Sequence, residues 1–446
     1  MTERNIDFTQ GRILKPLIMF AVPVLLAIFL QAMYGAVDLL VVGKFAGAED
    51  VSAVSTGSQI MMTITSFISS MSMGITIFLG QKIGEKDTKA GGSITGTGIF
   101  MFLALGAVMT VLIPLLAPAL ASVMQAPEEA FDGTVGYIRI CGAGSVAVIS
   151  YNLIGSIFRG MGDARTPLIT VMIACACNIC GDILLIAVFG MGAAGAAFAT
   201  IFAQLISVII SVILIRKRDL PFEFSSKHIR WNRNTAGKIV FFGLPIALQD
   251  VLVGISFLVI LAIVNSLGLI ASAGVGVAEK VCTFIMLVPI SFMQAMSAFV
   301  AQNYGANRMD RAVRGLMYAI TVSAAFGFAM FLLAWFRGDL LSAIFARDPE
   351  IIAASADYLR AYAIDCLLTC FLFCFIGYFN GMGYTRFVMM QGIAGAFLVR
   401  VPVSFFMSRL VPVSLFHIGL ATPCSTVVQI ILCFICFALT RKKQKQ

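Results

Sequence analysis

The sequence has 446 residues, of which 60% are hydrophobic and only 12% are charged. Soluble domains carry about 25% charged residues, so this chain has too few charges to cover a water-facing surface of its size. The net charge of +9 could indicate nucleic-acid binding, but Lys and Arg lie mainly in short segments between long apolar runs. The composition therefore excludes a soluble domain. It predicts a protein embedded in a lipid bilayer, without nucleic acid as a partner.

Each apolar run is long enough, with its neighbours, to cross a hydrocarbon layer of about 30 Å as an α-helix. The runs lack the period-two alternation of barrel strands, and helices alone then satisfy the backbone polar groups in lipid. We therefore predict an all-α polytopic membrane protein with twelve transmembrane helices. In chain order the predicted spans are 14–42, 51–80, 93–119, 132–157, 166–189, 193–215, 238–264, 271–300, 312–336, 354–379, 386–408 and 415–439.

Lys and Arg are divided unequally between the two sides of the predicted membrane. Of the 31, 23 fall on the side that holds both termini, and four fall in the loops of the opposite side. Because cytoplasmic loops carry the excess of Lys and Arg, we predict that both termini are cytoplasmic. The polar, basic segment 216–237 joins the sixth and seventh helices on the same side, and its composition is typical of a solvated linker.

The two halves of the chain repeat each other at an almost constant spacing of 221 or 222 residues. The matching landmarks are Pro23 and Pro245, Gln81 and Gln302, Pro127 and Pro349, Tyr137 and Tyr358, and Gly160 and Gly381. We therefore predict two pseudo-symmetric six-helix bundles, an N-terminal lobe at 1–215 and a C-terminal lobe at 238–446, joined by the linker. Six helices per half give both lobes the same orientation. Such parallel repeats suit alternating access, with a substrate held between the lobes.

Two carboxylates break this symmetry. Asp38 lies on the predicted first helix, and its counterpart after Pro245 is Ile260. Asp182 lies on the fifth helix, and its counterpart region, 403–404, has no acid. A carboxylate near the middle of a membrane costs at least about 2.5–3.5 kcal/mol on insertion scales. Packing demands are similar in both lobes, so the pair points to chemistry in the N-terminal lobe.

The neighbours of the acidic pair predict a cation site. Asn178 and Asp182 are spaced i, i+4 and share one helix face. Other polar side chains available to the same region are Gln31, Tyr34, Asn152 and Thr200. Carboxylate, amide and hydroxyl oxygens suit a hard cation such as sodium, and two neighbouring carboxylates can instead share a proton. The alternative is a buried hydrogen-bond network without an ion.

Four segments resemble a known family. They are YGAVDLLVVGKFAG at 34–47, FRGMGDARTP at 158–167, NICGD at 178–182 and a degenerate copy, FNGMGYTRF, at 379–387. On these residues the chain resembles the multidrug and toxic compound extrusion (MATE) family, in particular its bacterial DinF-like branch. The resemblance covers essentially the whole chain.

This resemblance implies a monomeric antiporter of the bacterial inner membrane without a cofactor. It would export organic, often cationic, small molecules in exchange for inward sodium ions or protons. The family's cation site, in its N-terminal lobe, maps onto residues already singled out above. They are Asp38, Asn152, Asn178, Asp182 and Thr200.

The remaining functional expectations concern movement and substrate. Pro23 removes a backbone hydrogen bond and is expected to bend the first helix. A substrate cavity is expected between the lobes, because flexible thioethers and aromatic faces suit varied flat cations. The cavity residues we expect are Gln31, Tyr34, Met61, Phe67, Met286 and Met293.

Two rival functions are weighed against export. A lipid-linked oligosaccharide flippase shares this architecture, but it would favour a cationic central cavity for phosphate. A membrane enzyme is not expected, since the sequence has two histidines and no HExxH motif or nucleophile elbow. Four membrane-embedded charged residues remain without a role at this stage: Asp250, Asp365, Lys280 and Arg400.

Overall fold

The computed structural model describes residues 6–445, with side chains as far as residue 442. Within this range the chain is helical and contains no strand. The helices are α1 (Leu14–Phe45), α2 (Ala48–Gly84), α3 (Thr88–Val123), α4 (Glu128–Ala143), α5 (Ser145–Gly160), α6 (Arg165–Asp182), α7 (Gly192–Arg216), α8 (Arg233–Asn265), α9 (Leu269–Gly305), α10 (Met309–Ala343), α11 (Pro349–Gly381), α12 (Thr385–Ala394), α13 (Val401–Met407), α14 (Leu415–Gly419) and α15 (Ala421–Lys445).

Two stretches are π-helical, with a wider turn than an α-helix. Ile183–Val188 continues α6, and Gly395–Arg400 joins α12 to α13. A short 3-10 turn, Ser226–His228, lies between α7 and α8.

The described residues contain eleven helices that are long and apolar enough to cross a membrane. The count becomes twelve when α4 and α5 are taken as one bent span. The predicted all-α fold with twelve membrane helices is therefore confirmed. Only the bounds differ, because most helices extend a few residues beyond their apolar runs into polar ends.

The fourth predicted span, 132–157, is not straight. It is broken at Gly144, where α4 and α5 meet at 54°. The side chain of Ile201 on α7 occupies the space that a side chain at Gly144 would need. A glycine is therefore required at the break, because α7 approaches the backbone there.

Internal contacts divide the chain into two compact units. Unit 1 comprises residues 1–9, 22–247 and 305–307, and unit 2 comprises residues 10–21, 248–304 and 308–446. The chain passes from one unit to the other inside α1 and inside α8. The repeat, in contrast, predicted lobes at 1–215 and 238–446, which are divided at the linker. The lobe boundaries stay a prediction.

Each unit has its own hydrophobic core, and the repeat places matching residues in it. Tyr137 and Ile138 are almost fully buried in a core of unit 1. Tyr358 and Leu359, their counterparts, are buried in the core of unit 2. The repeated motif is therefore a core element in each half.

The linker is exposed over most of its length, as its composition predicts, but it is also anchored to α3. Phe222 is 5% exposed within the core of unit 1, and the Glu223 amide donates a hydrogen bond to the Thr88 carbonyl. The linker backbone at Glu223 and His228 lies directly over Gly92 and Gly96 of α3. Since these glycines have no side chain, the linker can approach the helix closely.

A buried ion pair holds the start of the linker. Arg218 is bonded to the Asp163 carboxylate at 2.5 Å and to the Thr166 hydroxyl at 2.6 Å. Asp163 is fully buried and also accepts the backbone amides of Arg165 and Thr166, at 2.9 and 3.0 Å. The acid of the GMGDARTP motif thus caps α6 and fastens the linker to it.

We predict that Gly92→Ala destabilises the protein by about 1–3 kcal/mol, because the new methyl group would collide with the linker backbone. The unfolding temperature of the detergent-purified protein measures the effect. Gly136→Ala is the matched control, since nothing lies within 4 Å of its new methyl group. Alanine is the better helix former, so the control should be neutral or stabilising. Equal unfolding temperatures for the two variants would contradict the packed linker.

Candidate functional site: a buried carboxylate cluster in unit 1

The five residues of the predicted cation site all belong to unit 1 and come from four helices. Asp38 lies on α1, Asn152 on α5, Asn178 and Asp182 on α6, and Thr200 on α7. Asn178 and Asp182 are fully buried, Asp38 is 5% exposed and Asn152 is 9% exposed. Thr200 is half-buried. These polar groups therefore lie in the interior of a membrane-embedded bundle.

Four of the five side chains meet. The Thr200 hydroxyl donates to Oδ2 of Asp38 at 3.4 Å. The carboxyl group of Asp38 also interacts with the side chains of Asp182 and Asn178. We call these four residues, Asp38, Asn178, Asp182 and Thr200, the carboxylate cluster.

Asn152 is oriented differently. Its amide donates to the carbonyl of Val148, one turn earlier on α5, at 2.9 Å. This bond ties the amide to its own helix. Its assignment to the cation site stays a prediction.

Within the described residues, most polar atoms of the carboxylate cluster have no partner outside the cluster and no hydrogen bond of good geometry within it. They are Oδ1 of Asp38, both carboxylate oxygens of Asp182, and both polar atoms of the Asn178 amide. Buried polar atoms are normally paired, and an unpaired buried charge is costly. The arrangement is therefore incomplete as a hydrogen-bond network.

The donor set fits two small cations. Three carboxylate oxygens and one amide oxygen of the cluster are buried without a partner, and oxygens of these kinds are the ligands that a hard cation such as sodium prefers. Two carboxylates in contact can also be held together by one shared proton. Among the described residues, no group of three or more His, Cys, Asp or Glu side chains could hold a metal ion.

A second layer of polar side chains adjoins the carboxylate cluster along α1. Tyr34, one turn before Asp38, hydrogen-bonds the side chain of Gln204 on α7. Gln31 donates to the hydroxyl of Tyr151 on α5 at 2.7 Å. Gln31 and Tyr34 of α1 therefore contact two other helices, α5 and α7.

Sequence reasoning missed Tyr151 and Gln204. Gln204 lies four residues after Thr200, and this i, i+4 spacing was a signal that both share one face of α7. Tyr151 precedes Asn152, and nothing in the sequence indicated that the tyrosine, and not the asparagine, would contact α1.

The backbone changes next to the site. Directly after Asp182, α6 becomes π-helical over Ile183–Val188. Such wide turns are rare in proteins as a whole, and those that occur often lie at functional sites. Asp182 therefore lies where the helix geometry changes.

The residues expected to line a substrate cavity have diverse surroundings. Met61 is packed in a hydrophobic core of unit 1, whereas Phe67 in the same unit is half-buried. Met286 and Met293, in unit 2, are also half-buried. Gln31 is exposed, and Tyr34 is half-buried. A cavity formed by these residues stays a prediction.

Pro23 lies inside α1, which runs without a break from Leu14 to Phe45. The proline is fifteen residues before Asp38 on this helix. Any change in the course of α1 at Pro23 would therefore move the part of the helix that carries the carboxylate.

The sequence model of the MatE family matches the chain twice, at residues 23–184 and 245–406. The two matches are displaced by 222 residues, in agreement with the internal repeat. The first match contains Asp38 and Asp182, together with Asn152 and Asn178. Together the matches cover more than half of the chain.

Individual relatives match over nearly their full length. The chain is 24% identical to the probable multidrug resistance protein YoeA of Bacillus subtilis, over 96% of this chain and 94% of the relative. It is 23% identical to the multidrug export protein MepA of Staphylococcus haemolyticus, over 92% and 90%. Among solved structures, an outward-facing multidrug resistance MATE transporter matches with a TM-score of 0.92 and 19% identity, over 100% of this chain and 99% of the other. The structural match supports the fold.

We predict that a small cation stabilises the protein through the carboxylate cluster. Adding sodium at constant ionic strength, or lowering the pH without sodium, should raise the unfolding temperature of the purified parent. The free energy of unfolding should rise by about 2.7 kcal/mol when the ion concentration is a hundred times its Kd. Asp182→Asn should abolish most of this shift, because it removes one of the two neighbouring carboxylates whose repulsion the cation relieves.

Asp132→Asn is the control, since Asp132 is an exposed acid of the same unit. It should retain the full ion-induced shift. An undiminished shift in Asp182→Asn would mean that the ion binds elsewhere.

Proposed function

Because the chain belongs to the MatE family of transporters, we propose that it is a secondary antiporter that exports organic, often cationic, compounds in exchange for inward sodium ions or protons. The observation that carries the proposal is the carboxylate cluster, with two buried acids whose oxygens are mostly unpaired. Both acids are absent from the matching places in the second half of the chain. Coupling is accordingly assigned to unit 1.

The driving force follows from electrostatics. Asp38 and Asp182 in contact repel each other in a medium of low dielectric constant, and a bound cation relieves this repulsion. Inward movement of one positive charge draws on about 2.3 kcal/mol per 100 mV of membrane potential. Binding from the outside, where sodium or protons are more abundant, therefore favours the loaded arrangement.

Alternating access links ion binding to export. The chain consists of two parallel repeats, an arrangement found in transporters that rock one half against the other. A structural relative is in an outward-facing conformation. In our proposal, neutralisation of Asp38 changes the preferred course of α1 about Pro23. The substrate is then released on the outer side.

The substrates are assigned by chemistry and by the relatives' names. YoeA and MepA are called multidrug resistance and multidrug export proteins, which favours a broad range of organic molecules. Half-buried Phe67, Met286 and Met293 offer aromatic and thioether surfaces that suit flat cations. We propose that they contribute to the substrate cavity, with Gln31 and Tyr34 as polar contacts.

The rival functions receive less support. Both reported relatives are named for multidrug transport, and this does not favour the oligosaccharide flippase. Nor do these relatives point to an enzyme. We propose that the protein acts as a monomer in the bacterial inner membrane, with both termini in the cytoplasm, as the distribution of Lys and Arg predicts.

We predict that Asp38→Asn reduces ion-driven efflux at least tenfold, because the amide cannot carry the charge that the cation neutralises. Efflux of a fluorescent organic cation is followed from proteoliposomes under an imposed sodium gradient or an imposed pH gradient. The two gradients are applied separately, and the one that drives the parent identifies the coupling ion.

Asp132→Asn serves again as the control and should export at the parent's rate. Efflux by Asp38→Asn that equals the parent's under both gradients would remove the antiport proposal. Export by neither protein under either gradient would redirect the search to other substrates, provided that both proteins unfold cooperatively.

A further inference from the structure

The repeat identifies the place in unit 2 that corresponds to the carboxylate cluster. Gly160 and Arg165 match Gly381 and Arg386 with a spacing of 221 residues. The family matches end at 184 and 406, a spacing of 222. The second half therefore contains one extra residue between these points.

The structure locates this extra residue. The π-helical turn Gly395–Arg400 lies between the two points, and a π-helical turn accommodates one residue more than an α-helical turn. From the end of this turn onward, the spacing is 222. Arg400 then corresponds to Asn178, and Ser404 corresponds to Asp182.

A contact of Arg400 supports this alignment independently. Arg400 donates from Nη1 to the hydroxyl of Ser256 on α8, at 3.2 Å. Ser256 corresponds to Tyr34 at the spacing of 222 set by Pro23 and Pro245. In unit 1, Tyr34 is one turn before Asp38, the residue that interacts with Asn178. The same pair of helices thus meets in both units, at levels that differ by about one turn along the first helix of each half.

The polarity of this place differs between the units. Unit 1 has two acids there, whereas unit 2 has a guanidinium group and, at the place of Asp38, Ile260. Arg400 is 6% exposed, and its guanidinium lies 4.4 Å from the centre of the Phe257 ring. Arginine stays charged in proteins, so a positive charge is held permanently inside unit 2.

A counter-charge is present on a neighbouring helix. Asp365 of α11 is 1% exposed and interacts electrostatically with Arg400. Within the described residues the two do not form a direct ion pair, and Oδ1 of Asp365 and Nε of Arg400 have no hydrogen-bond partner. The pair is nevertheless neutral overall, and a buried charge is tolerated when an opposite charge compensates it.

We propose that Arg400 is a tethered cation that replaces, in unit 2, the exchangeable cation that unit 1 binds, and that Asp365 is its counter-charge. This inference rests on the proposed coupling function of unit 1. Asp365 is compensated by Arg400 and does not serve as a second coupling site. The chain therefore has one coupling site, at Asp38 and Asp182.

The test counts bound ions. Purified protein is titrated with radioactive sodium at equilibrium, and proton uptake is measured separately in weakly buffered, sodium-free solution. The parent should bind one ion per chain, and Asp38→Asn combined with Asp182→Asn should bind none, because the cluster then holds no carboxylate. Arg400→Gln should bind two, because Asp365 is then an uncompensated buried carboxylate. The second ion should persist when Arg400→Gln is combined with Asp38→Asn and Asp182→Asn.

Two further variants exclude an indirect effect of Arg400→Gln. Arg400→Lys keeps the positive charge and should bind one ion. Arg400→Gln combined with Asp365→Asn removes both charges and should also bind one. A folded Arg400→Gln that binds one ion would overturn the proposal.

The proposal also remains open to refutation if Arg400→Gln does not fold. In that case Asp38→Asn combined with Asp182→Asn is titrated, with Arg400 intact. Residual ion binding that disappears when Asp365→Asn is added would overturn the proposal, whereas no residual binding supports it. These outcomes are distinct from failure of the antiport proposal, which is decided by whether Asp38→Asn still exports under an ion gradient.

Discussion

The cost of leaving charge unpaired inside a lipid-embedded bundle is the constraint on which the functional argument depends. A chain with 12% charged residues places nearly all of them at helix ends, so an interior carboxylate needs a compensating group. Asp38 and Asp182 cannot compensate each other, because both carry negative charge. In the proposed cycle, a small cation that enters from outside supplies the missing charge, and its binding changes the shape of the bundle.

The repeat explains how this chemistry could arise in one half only. Both halves use the same core elements, as the buried Tyr137 and Tyr358 show, so the framework does not depend on the polar residues. Once duplicated, the two copies were free to diverge at the place where the first and fifth helices of each half meet. Unit 1 holds acids there, and unit 2 holds Arg400 with Asp365 nearby. In our proposals, an exchangeable cation neutralises the acids of unit 1, whereas the fixed guanidinium of Arg400 neutralises Asp365 in unit 2.

Wide helical turns and glycines set the local geometry in both units. The π-helical turns lie directly after Asp182 and directly up to Arg400, so each charged place adjoins a change in helical register. Gly92 and Gly96 allow the linker backbone to lie against α3, and the Arg218–Asp163 pair fastens it. The linker is consequently part of the folded unit 1 and cannot move independently of α3 and α6.

Much of the architecture could be predicted from the sequence, because segments that cross a membrane must be long and apolar. Apolar runs located the helices, and their even number in each half followed from the repeat. The exceptional residues, Asp38 and Asp182, were evident because acids are rare in such runs. Charge at the helix ends indicated the topology.

Only the tertiary structure decided which side chains meet. It placed Asp38 against Asn178 and Asp182, turned the Asn152 amide toward its own helix, and brought in Tyr151 and Gln204. It also bent the fourth span at Gly144 and anchored the exposed linker to α3. Hydropathy measures how apolar a segment is, but side-chain direction and helix approach depend on the residues of other segments. For the same reason, the alignment of Arg400 with Asn178 required the observed π-helical turn.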